Sequence, residues 1–180
     1  RINNVPIMFS WINSRVDKNI ECTIPEGYPE IMIDSGGYQL QTEAKTKKII
    51  NVEHYAFWLQ MILPKHPEIV AYMNLDILGD IPTTLRHQSY LESEGLKPLP
   101  IWHIGDDESL LKIYAKKYEW IALGGFVSKS MGKPAIREVL NWVKQNHDNK
   151  FHFLGLGLTG STSFRSFRPY STDCSTWTAP

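Results

Sequence analysis

The chain has 180 residues, 42% of them hydrophobic and 21% charged, and its 19 Lys and Arg offset 19 Asp and Glu for a formal net charge of +0. That is the size and make-up of one ordinary domain with a sizeable core, and it leaves no global field to steer nucleic acid, so such binding needs a local basic patch. No stretch approaches the roughly 20 apolar residues of a membrane span, and no apolar signal-peptide core opens the chain.

In chain order, Val5 to Phe9 and Glu30 to Asp34 read as the first two strands. From Val52 to Leu63, the residues Val52, Tyr55, Ala56, Leu59, Ile62 and Leu63 recur at spacings of three and four, which predicts a helix with one apolar face. Pro64 and Pro67 end it. Ile69 to Ile77 reads as a third strand, and a helix opening near Pro82 runs from about Thr83 to Glu94, where Gly95 caps it. Leu99 to Ile104 is the fourth strand. Asp106, Asp107 and Glu108 then place negative charge at the positive end of a helix reaching about Tyr118. Trp120 to Leu123 is a strand. Pro134 opens a helix that buries Ile136, Val139, Leu140 and Val143, and Phe151 to Leu156 and Tyr170 to Cys174 complete the strands.

Seven strands separated mostly by helices, apolar without clean alternation, predict parallel βαβ units with both sheet faces covered. The expected fold is a single α/β domain over residues 1–180, a (β/α)8 TIM-type barrel lacking its eighth unit in this span. A doubly wound open sheet is the alternative. Cys22 and Cys174 form neither a metal-ligand spacing nor a disulfide framework, so a reducing, cytoplasmic setting is expected. A start at Arg1 and a stop at Ala179-Pro180 suggest a piece of a longer protein.

The chemistry concentrates at strand ends. Asp34-Ser35-Gly36-Gly37-Tyr38-Gln39, Asp76 and Gly124-Gly125 each follow an apolar run and Asp173 ends the last expected strand, and carboxylates at the C-terminal ends of parallel strands are how an α/β barrel builds an active site. Paired glycines after a strand let backbone N–H groups approach a ligand closely. Tight turns with capping aspartates are the plainer reading of the same residues.

The order DSGGYQ, LD, ALGG, GLG and DC, spanning roughly residues 30 to 175, resembles the guanine transglycosylases, which exchange a guanine in nucleic acid for a 7-deazaguanine such as the queuosine and archaeosine precursors. The resemblance implies Asp173 as the nucleophile that holds the sugar in a covalent glycosyl intermediate and Asp34 as general acid/base. It implies that Asp76 reads the guanine N1–H and N2 donors, which a carboxylate accepts as a pair. Ser35, Gly36 and Gly37 belong to the same base pocket. Gly124 and Gly125 offer backbone donors, or are an ordinary strand-to-helix turn. Tyr38 and Leu154, beside Gly155, hold the two faces of the base, with core packing the alternative for Leu154. Asp80 is either a group behind Asp76 or the cap of the helix at Pro82.

Two departures stand out. His103 occupies the place of a glutamine in the tRNA-acting enzymes, which implies a different preference at the 7-substituent; a structural strand-end histidine is the alternative. The cysteine- and histidine-rich zinc tail of those enzymes is missing, so neither a metal nor any other cofactor is expected. The segment Ser171 to Trp177 is more like the phage and DNA-modifying branch, so DNA is favoured over tRNA as acceptor. Lys45, Lys47, Lys48, Arg165 and Arg168 would grip phosphates around a flipped nucleotide, or are solvated surface charge. The expected partners are that polymer and the incoming base, with no membrane, and a second copy or partner subunit to complete an open barrel. The rival functions are a non-catalytic partner subunit of such an enzyme and a glycoside hydrolase barrel. Against the latter, Trp58 and Trp142 lie in helical patterns rather than on a sugar platform.

Overall fold

A computed structural model describes residues 6–12, 24–37, 51–126, 133–146, 148–155 and 169–173. Within them the protein is a mixed α/β structure of parallel sheets and four helices. Its contacts divide the chain into two units, Arg1–Leu99 and Pro100–Pro180.

In the first unit, β1 (Ile7–Ser10), β2 (Ile31–Asp34) and β3 (Ile69–Tyr72) form a parallel sheet in that order. Ser10 stands opposite Asp34, and a register shift between Ile31 and Met32 separates the two halves of the β2–β3 ladder. Helix α1 (Val52–Ile62) starts where Asn51 accepts a hydrogen bond from the His54 N–H. It buries the predicted Val52, Tyr55, Ala56, Leu59 and Ile62, and also Trp58. Trp58 widens the stripe because Trp11 and Tyr55 lie beside it: the ring centroids are 4.7 Å apart for Trp11–Tyr55 and 6.2 Å for Tyr55–Trp58. These rings, with Ile31, Ile33, Leu75 and Leu91, make the core of the unit. Helix α2 (Ile81–Ser93) begins two residues earlier than Thr83, with Pro82 in its first turn, because Asp80 supplies the cap.

The third strand is shorter than its apolar run. Past Tyr72 only Met73 keeps a bridge, to Leu99, and residues 74–76 leave the ladder. Side chains take over the backbone groups there. Tyr55 Oη donates to the Met73 carbonyl at 2.9 Å, Thr84 Oγ1 accepts from the Ile77 N–H at 2.9 Å, and a His87 ring nitrogen bonds the Leu75 carbonyl at 2.7 Å. A buried backbone polar group has to be paired, and these partners make a non-ladder path affordable.

In the second unit, β4 (Ile101–His103), β5 (Trp120–Gly124), β6 (Lys150–Phe153) and β7 (Ser171–Thr172) form a parallel sheet in sequence order. Helix α3 (Glu108–Lys117) is capped by Asp107 and carries Lys116 and Lys117 in its last turn, where cations suit the dipole. Helix α4 (Lys133–Gln145) buries Leu140 and Val143, while Ile136 and Val139 pack half-buried against the same core. That core is built on Trp102, Leu111, Ile121, Leu123, Phe151 and Phe153. A cavity of about 320 Å³ lies among Trp102, Leu111, Val139 and Trp142, between β4 and the two helices, and reaches the turn Ile104-Gly105-Asp106 that follows β4. Among the described residues no helix is long and apolar enough to cross a membrane.

Candidate active site

In the first unit the strand ends bring Asp34, Ser35, Gly36, Gly37 and Asp76 together. Asp34 closes β2, half-buried, and its Oδ1 accepts from the Gly36 N–H at 3.1 Å. Ser35 is fully buried and its Oγ lies 3.5 Å from Asp76 Oδ1, at the long limit of a hydrogen bond. Asp76 is itself only 6% exposed. The glycine pair is required by space. A Cβ on Gly36 would sit 2.7 Å from Ile12 Cβ, at a φ of +82°, and one on Gly37 would sit 2.4 Å from both the carbonyl and Oδ1 of Asp76.

Burial, followed by the charges of Asp34, Tyr72 and Asp76, holds the Tyr55 phenol well above its ordinary pKa. It therefore remains a donor, and that proton is the one clamping Met73. Asp80 is the cap rather than a group behind Asp76: its carboxylate accepts from the Thr83 N–H at 3.0 Å and from Thr83 Oγ1 at 2.6 Å. Those two bonds hold its carboxyl below the usual aspartate range.

In the second unit His103 and Gly124 are cross-strand partners on β4 and β5. The imidazole packs so close that a Cβ on Gly124 would meet His103 Cδ2 at 2.5 Å. Asp106 turns back and its Oδ2 accepts from the His103 N–H at 3.0 Å, so only Asp107 and Glu108 serve the start of α3. Oδ2 also lies 3.8 Å from His103 Nδ1. Gly125 follows at a φ of +86°. Leu154 and Gly155 form the turn after β6, and Leu154 is half-buried outside the core cluster.

Asp173 follows β7, its side chain 23% exposed. Oδ1 accepts from the Gly155 N–H at 2.8 Å and lies 3.2 Å from His152 Nε2. Both contacts fall on one oxygen; among the described residues no hydrogen bond reaches Oδ2. A carboxylate held this way presents one oxygen to a ligand in a fixed orientation. His152, buried between Phe151 and Phe153, and Ser171, which bonds its other ring nitrogen, are absent from the residues singled out in the sequence. The available signal was a polar residue inside an otherwise aromatic strand, Phe151-His152-Phe153.

Tyr38, Lys45, Lys47, Lys48, Arg165, Arg168, Cys22 and Cys174 lie outside the described residues. Among those described, no group of three or more His, Cys, Asp and Glu is placed to hold a metal ion. Comparison with protein-family models, with curated proteins and with solved structures returned no match.

Proposed function

We propose that the chain is a nucleic-acid guanine transglycosylase, exchanging guanine for a 7-deazaguanine through a covalent aspartyl-glycosyl intermediate, with DNA the favoured acceptor over tRNA. The observation that carries this reading is the held Asp173 carboxylate, with Oδ1 engaged by Gly155 and His152 and Oδ2 left for a substrate carbon. The Asp34-Ser-Gly-Gly turn packed on buried Asp76 supports it.

In this mechanism Asp173 Oδ2 attacks the sugar C1′ and the C1′–N9 bond breaks, its electron pair leaving with the purine. Asp34 gives a proton to the departing guanine. Asp34 then takes a proton from the incoming base, whose ring nitrogen attacks C1′ from the face the guanine left and releases the Asp173 carboxylate. Two inversions retain the configuration, as in retaining glycosidases. Asp76 accepts from the paired donors on the base edge, and an adenine edge would leave its buried charge unpaired. The (β/α)8 barrel is the finer form of the same proposal, supported by strands that run parallel and in sequence order within each sheet.

Incubation with radiolabelled guanine and duplex DNA or tRNA tests it. Label should enter the polymer, into DNA more than tRNA, and Asp173→Ala should abolish incorporation. Release of free guanine without uptake of label would instead indicate a hydrolase.

A further inference from the structure

We infer that His152 is a positioning residue for Asp173, fixing by one N–H bond which carboxylate oxygen is offered to substrate, with Ser171 setting the tautomer that makes this possible. The role rests on reading Asp173 as the nucleophile. Strand geometry imposes the arrangement. His152 on β6 stands opposite Ser171 on β7, and side chains two apart on a strand share a face. Ser171 and Asp173 therefore both reach the same imidazole, Oγ at 2.9 Å from Nδ1 and Oδ1 at 3.2 Å from Nε2.

The proton assignment follows from the partners. A carboxylate oxygen only accepts, so Nε2 carries the hydrogen; when Nε2 is the only ring nitrogen protonated, Nδ1 accepts from the Ser171 hydroxyl, which can serve either way. His152 is 2% exposed, so bulk water has little access to either nitrogen. With the Gly155 N–H on the same oxygen, two donors converge on Oδ1, and among the described residues no hydrogen bond reaches Oδ2. The same donors would also stabilise the carboxylate when it is released from the sugar in the second half of the exchange, since a hydrogen bond to the charged form favours that form.

His152→Phe keeps a flat aromatic ring and removes both nitrogens; His152→Gln returns an N–H near the place of Nε2. Base exchange with a DNA duplex and labelled guanine, run below the melting temperature of each variant, should show kcat falling about 100-fold in His152→Phe, the scale expected for a reacting group misplaced by about 1 Å. The guanine KM should stay within about twofold, and His152→Gln should recover at least about tenfold of the lost kcat. Nitrogen-15 spectra of histidine-labelled wild type at pH 7 should show His152 as the Nε2–H tautomer, and Asp173→Ala should change that signal. A purely structural role would lower thermal stability without a selective kcat loss or rescue by Gln. Exchange by the wild type with His152→Phe within about threefold of it, or an Nδ1–H tautomer, would overturn this role alone. No exchange by the wild type with either polymer, the Nε2–H tautomer being intact, would overturn the transglycosylase reading and this role with it.

Discussion

Gly37→Ala separates crowding against Asp76 from backbone strain. The added methyl would sit 2.4 Å from two Asp76 atoms, the backbone carbonyl and Oδ1, against about 3.4 Å where ordinary contact begins. Something must give by about 1 Å, and one of the two atoms is main chain. Overpacking of this kind costs about 1–3 kcal/mol. For a chain of 180 residues each kcal/mol lowers the melting temperature by about 2–4 °C, so a fall of about 2–12 °C is expected. Gly79→Ala is the matched control: its φ is +79°, and its Cβ would meet nothing within 4 Å. It should cost about 1–2 kcal/mol through backbone conformation alone. Calorimetry of the two variants would therefore give overlapping losses of stability. Guanine exchange would not: Gly37→Ala should lose about 100-fold because Asp76 is displaced, and Gly79→Ala should exchange at the wild-type rate. Equal exchange rates for the two variants would refute the claim that Gly37 is a glycine to make room for Asp76.

Tyr55→Phe removes the donor from the buried Met73 carbonyl and should cost about 1–3 kcal/mol, read as a lower denaturation midpoint at unchanged slope; an unchanged midpoint would contradict the clamp. Asp76→Asn replaces one charged acceptor by a donor, so the guanine KM should rise about 10- to 150-fold, the equivalent of about 1.5–3 kcal/mol. Uptake of adenine in place of guanine would show the altered edge directly. The Asp80 carboxyl is held below its ordinary range by Thr83. Its charge thus stabilises the folded state in full above the unfolded aspartate pKa of about 3.9, and the benefit fades as pH falls through the lower folded value. The difference in melting temperature between wild type and Asp80→Ala should be constant at neutral pH and shrink only in that acidic window. A difference that did not change with pH would remove the charge from the explanation.

The sequence carried the elements where local chemistry decides them. The three- and four-residue spacing from Val52 set the buried face of α1, and Asp107 caps α3 within the acidic stretch expected at its start; Asp80, open between two roles in the sequence, is the cap of α2. Alternation of apolar runs with helical patterns was enough for parallel strands. What could not be read depends on partners distant in sequence. The end of β3 at Tyr72 is decided by Tyr55, Thr84 and His87, each supplying a bond that the apolar run Ile69 to Ile77 does not encode. The return of Asp106 to the His103 N–H replaced a role assigned from charge alone. The contact of His152 with Asp173 requires the β6–β7 register, across 21 residues of chain, before the pair can be seen at all. At Asp34 to Gly37 the order of residues was plain, whereas the packing of Gly37 on Asp76 emerges only once β2 and the end of β3 lie side by side.

A covalent adduct on Asp173 is what the proposed exchange requires. Wild-type protein would be mixed with a guanine-containing DNA duplex and a slowly reacting guanine analogue, quenched in denaturant, digested with nuclease and protease, and examined by peptide mass spectrometry. A deoxyribosyl phosphate remnant is expected, esterified to the peptide that contains Asp173, absent from Asp173→Ala and formed far more slowly in Asp34→Asn, which lacks the acid that protonates the departing guanine. A remnant mapped to any other carboxylate, or none in wild type while labelled guanine still enters the DNA, would contradict that requirement.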